Sequence, residues 1–99
     1  MSAPNPAPAW PVERDLAIVN EKGLHARASA RFVEIVEAHD AEAEVIFNGQ
    51  TVPADSIMGL LTLGAARGAT IHLRARGPAA EALAAALDRL LADRFGEPF

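Results

Sequence analysis

The segment richest in chemistry is Gly23-Leu24-His25-Ala26-Arg27-Ala28-Ser29-Ala30-Arg31-Phe32-Val33. The apolar spacing after His25 predicts a helix, which puts the imidazole at the helix mouth and Arg27 two positions behind it. A helix opening leaves backbone N–H groups unpaired and carries partial positive charge, so it suits a phosphate. The same charge, with that of Arg27, favours a neutral imidazole whose lone pair can attack phosphorus. Once a phosphoryl group is attached, these groups face a dianion and hold it. One arrangement can therefore load and retain a phosphoryl group on His25. On these residues alone, the other reading is a surface histidine at a helix start with Arg27 solvated.

A metal centre is not expected. His25, His39 and His72 show no His-x-x-x-His spacing, and no carboxylate cluster joins them. Neither His39 nor His72 is assigned a role, and Arg74 and Arg76 are read as a solvated face.

The elements that must position His25 follow from the hydrophobic pattern. Val12, Arg14, Leu16 and Ile18 alternate with Glu13, Asp15, Ala17 and Val19, which predicts a strand interrupted by one misplaced arginine. Glu21-Lys22-Gly23 is a polar turn. Ala28, Phe32, Ile35/Val36 and His39 recur at helical spacing, predicting a helix from Ala26 to about His39. Asn48-Gly49 between 44–47 and 50–53 is a hairpin signal, because both residues accept positive φ. Pro53 lacks a ladder donor and predicts a short or edge strand.

Ser56 reads as the N-cap of a short helix through Leu63, stopped by Gly64. Residues 69–76 alternate as a strand, Gly77-Pro78 breaks it, and Ala80, Leu83, Leu87 and Leu90/Leu91 make a helical stripe ending near Gly96. The order is βαββαβα, an α+β open-faced sandwich with three helices on one face of a small sheet.

The 99 residues predict one domain, 12–95, between a disordered Pro/Ala-rich tail, 1–11, and a short C-terminal tail, 96–99. Trp10 is expected to pack at the end of the first tail. A formal charge of -4 and five per cent aromatic residues argue against a nucleic-acid binder. No apolar run approaches the roughly 20 residues that span a bilayer, and residues 1–11 lack the charged start of a signal peptide. The absence of cysteine excludes disulfides and thiolate metal sites. A cytoplasmic monomer without nucleic-acid or membrane partners is expected.

The bland role of Ser56 is capping, which satisfies a backbone donor. Ile57, Met58, Leu60, Leu61 and Leu63 are too many apolar side chains for one face of two helical turns, so some must be exposed. They either complete a small core or offer a docking ridge. Met58 suits a ridge because its flexible side chain repacks against different surfaces.

Gly23-Leu24-His25-Ala26-Arg27 with Phe32-Val33, followed by Ser56-Ile57-Met58-Gly59-Leu60 and Leu63-Gly64, resemble the HPr family. These are histidine phosphocarriers of the phosphoenolpyruvate-dependent phosphotransferase system. The likeness runs from about residue 14 to 93 and implies a four-stranded antiparallel sheet. It implies that enzyme I phosphorylates His25 on Nδ1, that Arg27 contacts the phosphoryl group, and that an enzyme IIA domain accepts it. It also implies that Ser56 is a site for HPr kinase/phosphorylase and that Ala26, Arg31, Ile57, Met58 and Leu61 dock partners. No cofactor is implied. Where the family usually has proline after His-Ala-Arg, this chain has Ala28; Ala28-Ser29-Ala30 also looks like nitrogen-related or regulatory branches.

Two other classes compete with a carrier. A regulatory module could use the same ridge, its phosphorylation switching partner binding without sugar transport. A self-contained enzyme is poorly supported, because no second acid/base group is tied to His25.

Overall fold

The elements run β1 (Val12–Ala17), α1 (Ala26–Glu37), β2 (Glu42–Phe47), β3 (Gln50–Pro53), α2 (Ile57–Leu63), β4 (Thr70–Arg76) and α3 (Ala80–Ala92), then a 3₁₀ turn at Arg94–Gly96. The structure, a computed structural model, describes residues 10–99. The stretch before Trp10, expected as a disordered tail, lies outside the described residues.

The four strands form one antiparallel sheet in the order β1-β4-β2-β3. Its hairpin is the expected one, with Asn48 and Gly49 at φ 52° and 80°. β3, which ends at Pro53, pairs only with β2 and is an edge strand, where the missing N–H costs no ladder bond. Strand alternation sends Leu16, Val45, Ile71, Leu73 and Ala75 into the core, against Phe32 and Val36 of α1, Leu60 of α2, and Leu83, Leu87 and Leu91 of α3.

Arg14, the misplaced residue of β1, resolves itself through α3. It shares the register of Val12 and Leu16, and its guanidinium reaches Asp88 at 2.9 Å and Glu81 at 3.3 Å. A long cation at a sheet edge can keep its head wet while its stem covers apolar surface.

Several boundaries move. α3 closes at Ala92 rather than near Gly96, because the chain turns through left-handed backbone at Arg94, Phe95 and Gly96. α1 closes at Glu37, two residues before the expected His39, whose Nδ1 instead meets the Ile35 carbonyl at 2.7 Å. β2 opens at Glu42 because Glu42 and Ala43 pair with Arg76 and Ala75 of β4. The outer sheet face is also more ordered than a solvated surface. Arg74 pairs with Glu44 and Arg76 with Glu42, each at 3.0 Å, and the Arg76 guanidinium lies 4.2 Å from the Trp10 ring centroid. His72 bridges Asp15 and Glu13 of β1 at 2.8 and 2.6 Å.

Candidate functional site

His25 is the N-cap of α1, with extended backbone at φ -80° and ψ -176°. Its carbonyl accepts the first helical hydrogen bond, from Ser29 N–H at 2.8 Å. The amides of Ala26, Arg27 and Ala28 therefore precede the intrahelical ladder, and no acidic side chain stands in the first turn to claim them. The ring makes no capping bond, so it is free for other work.

The preceding loop fixes where that ring stands. Gly23 has φ 67°, and a Cβ there would lie 2.8 Å from the Ala65 carbonyl oxygen. Only glycine permits this approach, and the next residue uses it: Leu24 N–H donates to that carbonyl at 3.0 Å. Asn20, fully buried, donates from Nδ2 to the Gly23 carbonyl at 2.8 Å. Buried Ser29 adds a bond from its hydroxyl to the Leu24 carbonyl at 3.3 Å.

The far end of the chain completes the site. His25 Nε2 lies 2.5 Å from Glu97 Oε2, and Asn20 Nδ2 donates to Glu97 Oε1 at 3.0 Å. Burial pushes the Glu97 carboxyl up, but the hydrogen bonds from Asn20 and His25 and the electrostatic pull of His25 and Lys22 outweigh it. The net result holds Glu97 below the ordinary carboxylate range, so it is ionised at neutral pH. Glu97, Pro98 and Phe99 line a cleft of about 150 Å³ together with Glu21, Lys22, His25 and Arg27.

Phe95 explains how the chain gets there. Its side chain is fully buried while its backbone takes φ 56°, between Arg94 at 55° and Gly96 at 79°. Three successive left-handed residues reverse the chain after α3, and burial of an aromatic ring offsets the strain in the two that are not glycine. Glu21 N–H then fastens the segment by donating to the Phe99 carbonyl at 3.0 Å.

His25 and Arg27 line one cleft. Ser56 caps α2, its hydroxyl accepting from Gly59 N–H at 2.9 Å. Leu60 and Leu63 face the core, whereas Ile57 and Met58 are 40% and 69% exposed and Leu61 is intermediate. Ala26 and Arg31 are exposed on α1. Sequence reasoning missed Asn20, Ser29 and Glu97. Asn20 carried a weak signal, a polar residue next to a glycine turn, but nothing in the local pattern tied Glu97 to His25.

A sequence model described as the PTS HPr component phosphorylation site matches residues 12–93, spanning both the helix-mouth histidine and the capped α2. The chain belongs to the HPr family. It is 41% identical over 86 residues to phosphocarrier protein HPr of Cupriavidus necator, covering 87% of this chain and 97% of that one. HPr of Vibrio cholerae is 39% identical over 82 residues, covering 79% and 96%. The fold agrees: a crystal structure of HPr-C-His from Thermoanaerobacter tengcongensis superposes with a TM-score of 0.84 at 35% identity, covering 89% of this chain and 99% of that one. As an HPr, the chain is a phosphocarrier of the phosphotransferase system and not an enzyme; such proteins carry a phosphohistidine. No helix among the described residues is long and apolar enough to cross a membrane.

Proposed function

We propose that His25 accepts a phosphoryl group on Nδ1 from enzyme I, charged by phosphoenolpyruvate, and passes it to an enzyme IIA domain. The observation that carries this reading is a helix N-cap imidazole that spends nothing on capping and shares an open cleft with Arg27. The Nδ1 lone pair forms the bond to phosphorus while the donor's bond breaks and its electron pair leaves with the donor. The Arg27 guanidinium and the free amides of the first turn then face the phosphoryl oxygens. A cleft this small encloses no second substrate, so each partner enzyme supplies the rest of the reacting site.

Support for partner docking comes from Ile57 and Met58, which stand exposed on α2, with Leu61 partly so and Ala26 and Arg31 exposed on α1. Ser56, partly exposed at the start of α2, is proposed as a regulatory phosphorylation site for an HPr kinase/phosphorylase. There the phosphate would add about -1.5 to -2 charge beside Asp55 and that ridge. A much longer relative, the phosphoryl donor subunit DhaM of a PEP-dependent dihydroxyacetone kinase from Klebsiella michiganensis, is 36% identical over 83 residues. This chain spans only 18% of it, which fits a transferable carrier unit.

The test is a relay. Protein loaded with radiolabelled phosphate by enzyme I, then freed of donor, is mixed with an enzyme IIA domain. Label that moves to the IIA domain supports the reading; label that stays on the chain under conditions where a known HPr discharges contradicts it.

A further inference from the structure

The Nε2 edge of His25 is closed by a carboxylate from the opposite end of the chain, and this contact has its own supports. Glu97 is 13% exposed at its side chain, one oxygen is held by Asn20, and the backbone on either side is anchored by buried Phe95 and by the bond from Glu21 to Phe99. His25 Nδ1, by contrast, has no hydrogen-bond partner among the described residues and is not enclosed. The two ring nitrogens are thus in different situations.

We infer that Glu97 is a positioning residue: it holds His25 in the tautomer with the proton on Nε2, leaving the Nδ1 lone pair as the phosphoryl acceptor. An ionised carboxylate has only acceptor oxygens, so the nitrogen facing it must be the donor. The choice of nitrogen is then made by the protein before any donor arrives. The consequence for transfer rests on the carrier reading above, while the tautomer itself does not.

The same contact serves both directions of transfer. When Nδ1 bonds to phosphorus and the donor's bond breaks, the Nε2 proton stays in place and the ring becomes cationic. Glu97 faces that developing charge and stabilises it. When the acceptor attacks phosphorus, the N–P bond breaks and its electron pair returns to Nδ1. The ring leaves as neutral imidazole, still protonated on Nε2, so no proton must be exchanged with solvent.

Long-range proton–nitrogen NMR of the His25 ring tests this in the wild type, Glu97→Ala and Glu97→Gln, without any donor. The wild type is expected to show protonated Nε2 and bare Nδ1. In Glu97→Gln, Asn20 claims the amide oxygen, the amide NH₂ turns to the ring, and the proton moves to Nδ1. Loading by enzyme I then falls by about tenfold or more in Glu97→Gln, further than in Glu97→Ala, which releases the ring without misprotonating it. A merely structural glutamate predicts the reverse order, since glutamine is nearly isosteric. A wild-type ring protonated on Nδ1, or equal tautomer populations in all three proteins, would overturn the inference. The expected tautomers in a protein that enzyme I never loads would instead overturn the carrier reading.

Discussion

Asn20 and Glu97, 77 positions apart, meet through a 3.0 Å hydrogen bond from Nδ2 to Oε1. The same amide group holds the Gly23 carbonyl at 2.8 Å, so one buried side chain ties the loop before His25 to the segment that covers it. Asn20→Ala leaves both acceptors unpaired. The expected cost is about 1–3 kcal/mol in chemical unfolding, with slower loading of His25. A loss below a few tenths of a kcal/mol would show that the two bonds are incidental.

Phe95 is the anchor of the covering segment. Phe95→Ala removes a fully buried ring and is expected to cost about 3–5 kcal/mol. It also frees the reversal that carries Glu97 to His25. Hydrogen exchange at the Glu21 amide, which is bonded to the Phe99 carbonyl, reports that release directly. Exchange there should quicken relative to the sheet amides. If Glu21 stays as protected as the sheet, the segment is held by something other than Phe95.

His72 predicts a pH dependence on the outer face. Hydrogen bonds to Asp15 and then Glu13 raise its pKa above 6.5; burial opposes them, and the charges of both carboxylates add to them. Both ring nitrogens face carboxylates, so the ring is protonated in this arrangement. A raised folded-state pKa means the stabilisation is fully present below 6.5 and is lost as pH rises through the folded value. Because the ring is partly exposed, the amount is a few tenths of a kcal/mol. Melting curves from acid to mildly basic pH should show wild type and His72→Gln converging on the basic side. A gap that widens with rising pH would have the wrong sign.

Two substitutions separate the roles of Ser56. Ser56→Ala removes the acceptor for Gly59 N–H and is expected to cost about 1 kcal/mol. Ser56→Asp keeps an acceptor and adds negative charge beside the exposed Ile57 and Met58, so stability should hold while loading by enzyme I weakens. Loading of Ser56→Asp at the parent rate would confine Ser56 to capping.

What could be read in advance divides by the range of the interaction. The Asn48-Gly49 turn, the Ser56 cap, the Gly64 stop and the helix mouth at His25 are each decided by backbone chemistry within a few residues, so local pattern suffices. The order of the strands is not local, and only the hairpin pair followed from turn chemistry. Arg14 looked like an error in a strand until α3 supplied Asp88 and Glu81. Arg74 and Arg76 looked solvated and His72 had no assigned role, because their partners, Glu42, Glu44, Glu13 and Asp15, lie on neighbouring strands. Glu97 is the extreme case. Its position depends on Phe95 taking a positive φ, which no propensity for phenylalanine suggests.

The claim that His25 carries the phosphoryl group is tested most directly by intact mass before and after incubation with phosphoenolpyruvate and enzyme I. The account predicts a gain of one phosphate that is lost in acid and does not form on His25→Ala. Phosphate that survives acid, that still forms on His25→Ala, or that never forms with an enzyme I able to load a known HPr would contradict it.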